Sequence, residues 1–381
     1  MKTLKNHIVS LMVVVVFCSI SHYSTAQITT EDDPAAFLSK TNQYARIEAK
    51  ALAGFVLPHY SFMNFLSEGW QKGFALHYTI FPAQQTLYDT LWKHPSYGIG
   101  ARYITLGNTK KLGTLSALYA VFNGQFFRRK LYNHIDYQIN TGLGFAHKSL
   151  RHSVYNTVIS SPLNFFAAIN CGATFRVHNN SWLRCGVELQ HISNGKTTTP
   201  NLGFNSLLFS LSYFYGVVHH REKTILHTVP RPPIEAHRIN VLAAGFFKTD
   251  DFMTEKKYFT GTALAEYEWL SPFRWWGVHA GGDYFYDRSI AALKPSPQSW
   301  AEQRQLMNVG VHTGAFVKYS HVVFLVQVGQ YIASNTQSSN FFTRAALRYE
   351  WQRLFANVSL RAHGAVAQSI EMGIGYKLRF Q

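Results

Sequence analysis

The residues best suited to chemistry in this sequence are a histidine and a serine two positions apart, His191 and Ser193. In an extended strand such residues point to the same face, so the imidazole and the hydroxyl would be neighbours. An imidazole beside a serine can act as its general base and make the hydroxyl a nucleophile. The pair therefore predicts attack on an acyl carbonyl, followed by hydrolysis of the acyl-enzyme.

Three further residues near this pair could support the reaction. Asn205 lies across the following turn and could hold the imidazole in one tautomer. Asn194 and backbone amides near Gly195 could donate hydrogen bonds to an oxyanion. Alternatively, these are polar residues of an ordinary turn, where Asn and Gly are expected anyway. No metal or cofactor is predicted, because the sequence contains no phosphate-binding loop or zinc-protease motif.

The elements that must position these residues are β-strands, because apolar and polar residues alternate with period two. The clearest case is the last segment, where apolar residues share one face: Met372, Ile374, Tyr376, Leu378 and Phe380. Segments of about ten alternating residues are typical of strands that cross a membrane in a barrel. We predict strands near 44–55, 71–82, 97–107, 112–125, 134–147, 164–177, 181–193, 205–217, 237–248, 257–270, 273–286, 305–319, 321–333, 341–351, 354–364 and 369–380.

These strands predict an all-β fold, a transmembrane antiparallel β-barrel of about 14–16 strands. Residues 219–236 separate the two sets of strands and are rich in proline, which cannot donate to a ladder. Short patterns of the first half (44–218) recur in the second (237–381), which we interpret as a degenerate repeat. One large barrel is the preferred arrangement, and two tandem eight-stranded barrels are the alternative.

The N-terminus and the composition predict the compartment. Lys2 and Lys5 precede an apolar run over residues 8–20, and small residues then lead to Ala26, as in a secretory signal peptide (1–26). Residues 27–43 would remain as a polar leader. Only 15% of residues are charged and 15% are aromatic, whereas soluble domains carry roughly 25% charged residues. The protein is therefore expected in a Gram-negative outer membrane.

The net charge of +16 favours anionic partners. In an outer membrane these are the phosphates of lipopolysaccharide, and nucleic acid is not expected as a partner of an exported chain. The alternation assigns His191 and Ser193 to the lipid-facing phase of Leu189, with Glu188 on the opposite face. An odd-numbered strand ends outside the cell, so we expect the polar cluster at a lipid-exposed rim in the outer leaflet. Polar groups facing lipid are costly, which suggests a function.

The surroundings of the pair resemble the active-site region of the outer-membrane lipid A 3-O-deacylase family, also called acyloxyacyl hydrolases. The similarity is carried by His191, Ile192, Ser193, Asn194, Pro200, Asn201 and Gly203. It implies a β-barrel esterase that acts on lipid A, with Ser193 as nucleophile and His191 as base. The resemblance covers about residues 44–216 and does not extend to the second half, which carries no copy of the motif.

One position departs from the family pattern, because the family has a glutamate where this chain has Asn205. An asparagine can orient a histidine but cannot balance the charge of an imidazolium. The predicted function is removal of a fatty acyl chain from lipid A, or from a phospholipid, in the outer leaflet. The alternative is a non-catalytic porin-like or structural barrel with a degenerate site. The oligomeric state is not predicted.

Overall fold

The computed structural model describes residues 44–379, with gaps at 59–67, 82–86, 94, 131–132, 151–155, 157, 179, 218–234, 250–255, 294–303, 305, 335–339 and 364–365. The predicted signal peptide and leader lie outside the described residues. So do most of the predicted linker and Phe380 of the last predicted strand.

The first eight strands close into one antiparallel barrel, in which each strand pairs with its neighbours in the sequence. The strands are β1 (Tyr44–Val56), β2 (Gln71–Phe81), β3 (Ser96–Thr105), β4 (Thr114–Lys130), β5 (Asn133–Ala146), β6 (Leu163–His178), β7 (Ser181–Ser193) and β8 (Phe204–Val217). The connection from β2 to β3 contains a five-residue helix, α1 (Leu87–Leu91).

The second eight strands close into another barrel of the same kind. They are β9 (His237–Thr249), β10 (Lys257–Leu270), β11 (Trp276–Asp287), β12 (Met307–Tyr319), β13 (Val322–Ser334), β14 (Phe341–Trp351), β15 (Leu354–His363) and β16 (Val366–Arg379). A 3-10 helix (Arg288–Leu293) follows β11. No helix in the described part of the chain has the length and hydropathy of a membrane span.

The all-β antiparallel fold and the sixteen strands are confirmed, but the preferred closure as one large barrel is wrong. Strand β1 pairs with β8 from Ala45↔Val217 to Val56↔Ser206, and β9 pairs with β16. In each barrel, the backbone N–H and C=O groups of the first and last strands therefore pair with each other after eight strands. Alternation with period two assigns each residue to a face but carries no information on which edges meet, so both closures fit the same sequence.

The two faces of the first barrel differ as the alternation predicts. Along β2, Phe74, Leu76 and Tyr78 point outward and are exposed, as lipid-facing residues should be. Inside, Lys50 on β1 donates to Gln138 on β5. In a closed order of eight strands β1 and β5 are opposite each other, so this bond crosses the lumen.

A second pair of opposite strands is bridged in the same way. Arg102 on β3 donates to Glu188, at 2.6 Å, and to Gln190, at 2.7 Å, both on β7. In the second barrel, Arg348 on β14 donates to Glu266 on the opposite strand β10. Small barrels of this strand number have interiors that side chains can fill, and here charged side chains bridge both lumens.

Candidate active site

The end of β7 and the start of β8 bring the predicted site residues together. The register pairs His191 directly with Asn205. His191 and Ser193 continue the outward phase of Leu189, and the turn over residues 194–203 joins the two strands. Gly195 and Gly203 have positive φ values of 61° and 75°, a backbone conformation that glycine adopts without strain.

The imidazole of His191 is held by the neighbouring strand. Its Nδ1 lies 2.6 Å from Oδ1 of Asn205. Because a carbonyl oxygen only accepts, Nδ1 carries the proton and donates, and the ring lone pair is then on Nε2. This is the tautomer that a general base needs. The predicted role of Asn205 as an orienting residue thus has the geometry that it requires.

The hydroxyl of Ser193 lies where two N–H groups converge. Its Oγ accepts hydrogen bonds from Nδ2 of Asn201, at 2.9 Å, and from the backbone N–H of Gly195, at 3.1 Å. Donors placed this close to a nucleophile are suited to stabilising negative charge that develops on a carbonyl oxygen. Asn201 belongs to the motif that resembles the deacylases, but sequence reasoning assigned it no role. The contact depends on how the turn folds back on the strand.

Asn194 connects the site turn to the preceding loop. Its Nδ2 lies 2.8 Å from the hydroxyl oxygens of Ser160 and Thr198. Its backbone N–H donates to Oδ1 of Asn201, at 3.2 Å. The sequence predicts Asn194 as an oxyanion donor, whereas this geometry, with Nδ2 bound to Ser160 and Thr198, corresponds to positioning of the turn. The loop contacts could not be read from the sequence, because Ser160 lies 34 residues away.

The expected exposure of the cluster to lipid is corrected by the structure. Leu189 is 55% exposed on the outward face, whereas Ser193 in the same phase is only 5% exposed. His191 and Asn205 are half-buried. The difference arises because the turn bends back, so that Asn201 reaches the hydroxyl of Ser193. The prediction that Glu188 lies on the opposite face is confirmed, since it pairs with Arg102 inside the lumen.

Two models of known protein families match the chain, one in each barrel. The family model "Lipid A 3-O-deacylase (PagL)" matches residues 73–214. The model "Acyloxyacyl hydrolase, C-terminal domain" matches residues 237–380. The resemblance therefore extends to the second half, contrary to the prediction from the motif. The second half lacks the His-Ser motif, so no short signal of this family was visible there. No curated protein matches the sequence.

Solved outer-membrane proteins show weak likeness to the chain. Neisserial surface protein A is 11% identical, with 46% of this chain and 97% of that chain covered and a TM-score of 0.27. The outer membrane protein opdK from Pseudomonas aeruginosa is 9% identical, with 89% and 99% covered and a TM-score of 0.22. The two family matches, by contrast, span most of both barrels. The chain therefore belongs to the lipid A 3-O-deacylase family of the outer membrane.

Proposed function

We propose that this protein hydrolyses an acyl ester of lipid A in the outer leaflet, with Ser193 as nucleophile and His191 as general base. The observation that carries the proposal is the bond from His191 to Asn205, at 2.6 Å, on the strand face that Ser193 shares. It fixes the basic tautomer of the imidazole, and the Ser193 hydroxyl on the same strand face already accepts hydrogen bonds from two N–H groups.

The proposed reaction has two steps. Oγ of Ser193 attacks the acyl carbonyl while Nε2 of His191 takes the hydroxyl proton, and the carbonyl oxygen becomes an oxyanion. The N–H of Gly195 and Nδ2 of Asn201 donate to that oxygen. The intermediate collapses to an acyl-enzyme, and the imidazolium protonates the departing sugar alkoxide. Water, deprotonated by His191, then releases the fatty acid and restores Ser193.

Mass spectrometry of lipid A tests the proposal directly. Lipid A from Gram-negative cells that express the protein should lose the mass of one acyl chain, and cells with the empty vector should not. A second assay distinguishes lipid A from phospholipid as the substrate. The purified protein is reconstituted in phospholipid vesicles, either alone or with added lipopolysaccharide, and fatty acid release is measured. Fatty acid release only in the presence of lipopolysaccharide supports lipid A as substrate. Equal release from phospholipid alone would contradict it.

The alternative function as a porin is disfavoured by the lumen. Buried side chains bridge opposite strands across the first barrel, namely Lys50 with Gln138 and Arg102 with Glu188. An open channel would need these side chains hydrated and apart. We therefore expect no stepwise conductance of the reconstituted protein in planar bilayers. Well-resolved conductance steps that are insensitive to replacement of Ser193 would favour the porin function.

Asn205 offers a test of how the imidazolium is stabilised. Because the Asn205 side chain orients His191 without carrying charge, Asn205→Ala should lower kcat by about tenfold, less than the roughly 10²–10⁴-fold that general base catalysis itself contributes. Asn205→Glu restores the residue type of the family and should raise kcat above that of the wild type, because a carboxylate balances the imidazolium charge. The difference in gel migration between unheated and heated samples serves as the folding control. A Glu variant that folds but is slower than wild type would contradict this explanation.

Asn201 tests the proposed oxyanion site. Asn201→Ala removes one of the two donors at Ser193 and should lower kcat by about a hundredfold, the loss typical of one oxyanion donor. Oδ1 of Asn201 also accepts a hydrogen bond from the backbone N–H of Asn194. Asn201→Asp is the matched variant, because it keeps this acceptor but lacks the side-chain N–H that donates to Ser193. Similar losses in both variants point to the missing donor. Wild-type kcat in the Asp variant would exclude a role for the amide in catalysis.

A further inference from the structure

Two residues of the second barrel lie in the lipid-facing phase and yet are buried. On β16, Ile374 points outward and is 67% exposed, whereas Ile370, four residues earlier on the same face, is only 6% exposed. At the end of β9, Phe247 points outward and is exposed, whereas Thr249 is buried. Alternation predicts exposure at both positions, so another part of the protein must cover them.

The cover is the turn of the candidate active site. Gly195 approaches Ile370 so closely that a Cβ atom at position 195 would lie 2.2 Å from Cγ1 of Ile370. The N–H of Thr249 donates to the carbonyl oxygen of Lys196, at 3.2 Å. Nζ of Lys257 donates to the carbonyl oxygen of Thr197. Three consecutive residues of the turn are thus held by the second barrel.

The barrels also meet at the opposite end of their strands, where α1 and the residue after it contact β12. Nε1 of Trp92 donates to the carbonyl oxygen of Lys318, at 2.9 Å. The hydroxyl of Tyr319 donates to Asp89, at 2.5 Å. Both barrels belong to one compact unit of the chain. Contacts at both ends of the strands restrict motion of one barrel relative to the other. The surface of the second barrel around Ile370 therefore has a fixed position relative to the turn.

We infer that the second barrel positions the active-site turn through Ile370, which packs on Gly195. The N–H of Gly195 is one of the two donors at Oγ of Ser193, so a shift of this residue displaces a proposed oxyanion donor. Ile370 is a positioning residue and does not touch the reacting atoms. The inference rests on the proposed function, and it assigns a role to a half of the chain that carries no catalytic motif.

The first test compares two isoleucines on one strand face. Ile370→Ala removes the contact with Gly195 and should lower kcat by about tenfold, with KM changed less than about twofold, because small displacements at an active site cost rate. Ile374→Ala is the matched control, since that side chain is exposed, and it should behave as wild type. Ile370→Val retains the branched contact and should recover most of the rate. Equal rates in the two alanine variants would overturn the inference.

A double variant gives a reversal that general destabilisation cannot produce. Gly195→Ala forces a methyl group against Ile370 and should be nearly inactive, an effect to which the positive φ contributes. Adding Ile370→Ala makes room for the methyl group, so the double variant should be faster than Gly195→Ala alone. Adding Ile374→Ala instead should give no recovery. If Ile370→Ala and Ile374→Ala have the same effect on the rate of Gly195→Ala, the contact between Gly195 and Ile370 has no part in catalysis.

A cross-link separates failure of the contact from failure of the proposed function. Lys196→Cys with Thr249→Cys, in a chain where Cys171 and Cys185 are alanine, should form a disulfide on mild oxidation, detected by mass spectrometry of the linked peptides. A cross-link in a protein without acyl release contradicts the esterase proposal and supports the contact. Acyl release with neither a cross-link nor an effect of Ile370→Ala overturns the positioning role and leaves the esterase proposal standing.

Discussion

Ser193→Ala should reduce acyl release from lipid A by at least roughly a thousandfold, because the proposed mechanism forms the acyl-enzyme on this hydroxyl. His191→Ala should cause a loss of similar size. In the proposed mechanism the nucleophile and its base act as one unit, so the double variant should be little slower than either single variant. The measurement is the rate of fatty acid release by purified protein, together with the lipid A mass profile of expressing cells.

The barrel should survive these substitutions. Loss of the Ser193 hydroxyl leaves the N–H groups of Asn201 and Gly195 without this acceptor, a cost of about 1–3 kcal/mol confined to the turn. The strand ladders do not involve the hydroxyl, so heat-modifiability in gels should be unchanged. Ser181, also on β7 but at its other end, offers a matched control, and Ser181→Ala should keep wild-type activity. Undiminished acyl release by folded Ser193→Ala would falsify the mechanism.

Arg102→Ala should destabilise the first barrel by about 3–5 kcal/mol, the usual consequence of removing one partner of a buried ion pair. Arg102 and Glu188 are fully buried in the lumen, 2.6 Å apart. Without the guanidinium, the charged partner that Glu188 retains among the described residues is Lys50, at 3.9 Å. The free energy of unfolding in urea, measured with the protein in lipid vesicles, should fall accordingly.

A surface ion pair provides the control for this prediction. Lys111 and Glu68 are 3.3 Å apart, with side chains 29% and 61% exposed. Lys111→Ala should cost less than about 1 kcal/mol, because solvent screens exposed pairs. Replacing both Arg102 and Glu188 by methionine should destabilise less than Arg102→Ala, since no unpaired charge remains. Similar unfolding free energies for Arg102→Ala and Lys111→Ala would show that the lumen is hydrated.

Local periodicity allowed a large part of the structure to be predicted. The sixteen strands follow from alternation with period two. The same alternation predicts that Glu188 points into the lumen, whereas His191 lies on the outward face of the strand. These properties depend on neighbours in the chain, because successive side chains of a strand point to opposite faces whatever the fold. The pairing of His191 with Asn205 was foreseeable for the same reason, since a single turn joins their strands.

Only the tertiary structure decided how the barrels close, what covers Ser193 and what holds its turn. Closure depends on the register between β1 and β8, whose pairing residues are at least 150 positions apart and leave no periodic trace. The donor Asn201 lies in a turn, where no alternation indicates direction. Ile370 reads as one more lipid-facing residue, and only the approach of Gly195, 175 positions earlier, makes it a contact of the site. The sequence by itself determined the faces of the strands and the pairing of His191 with Asn205, whereas the fold of the turn and its contact with the second barrel were decided by the tertiary structure.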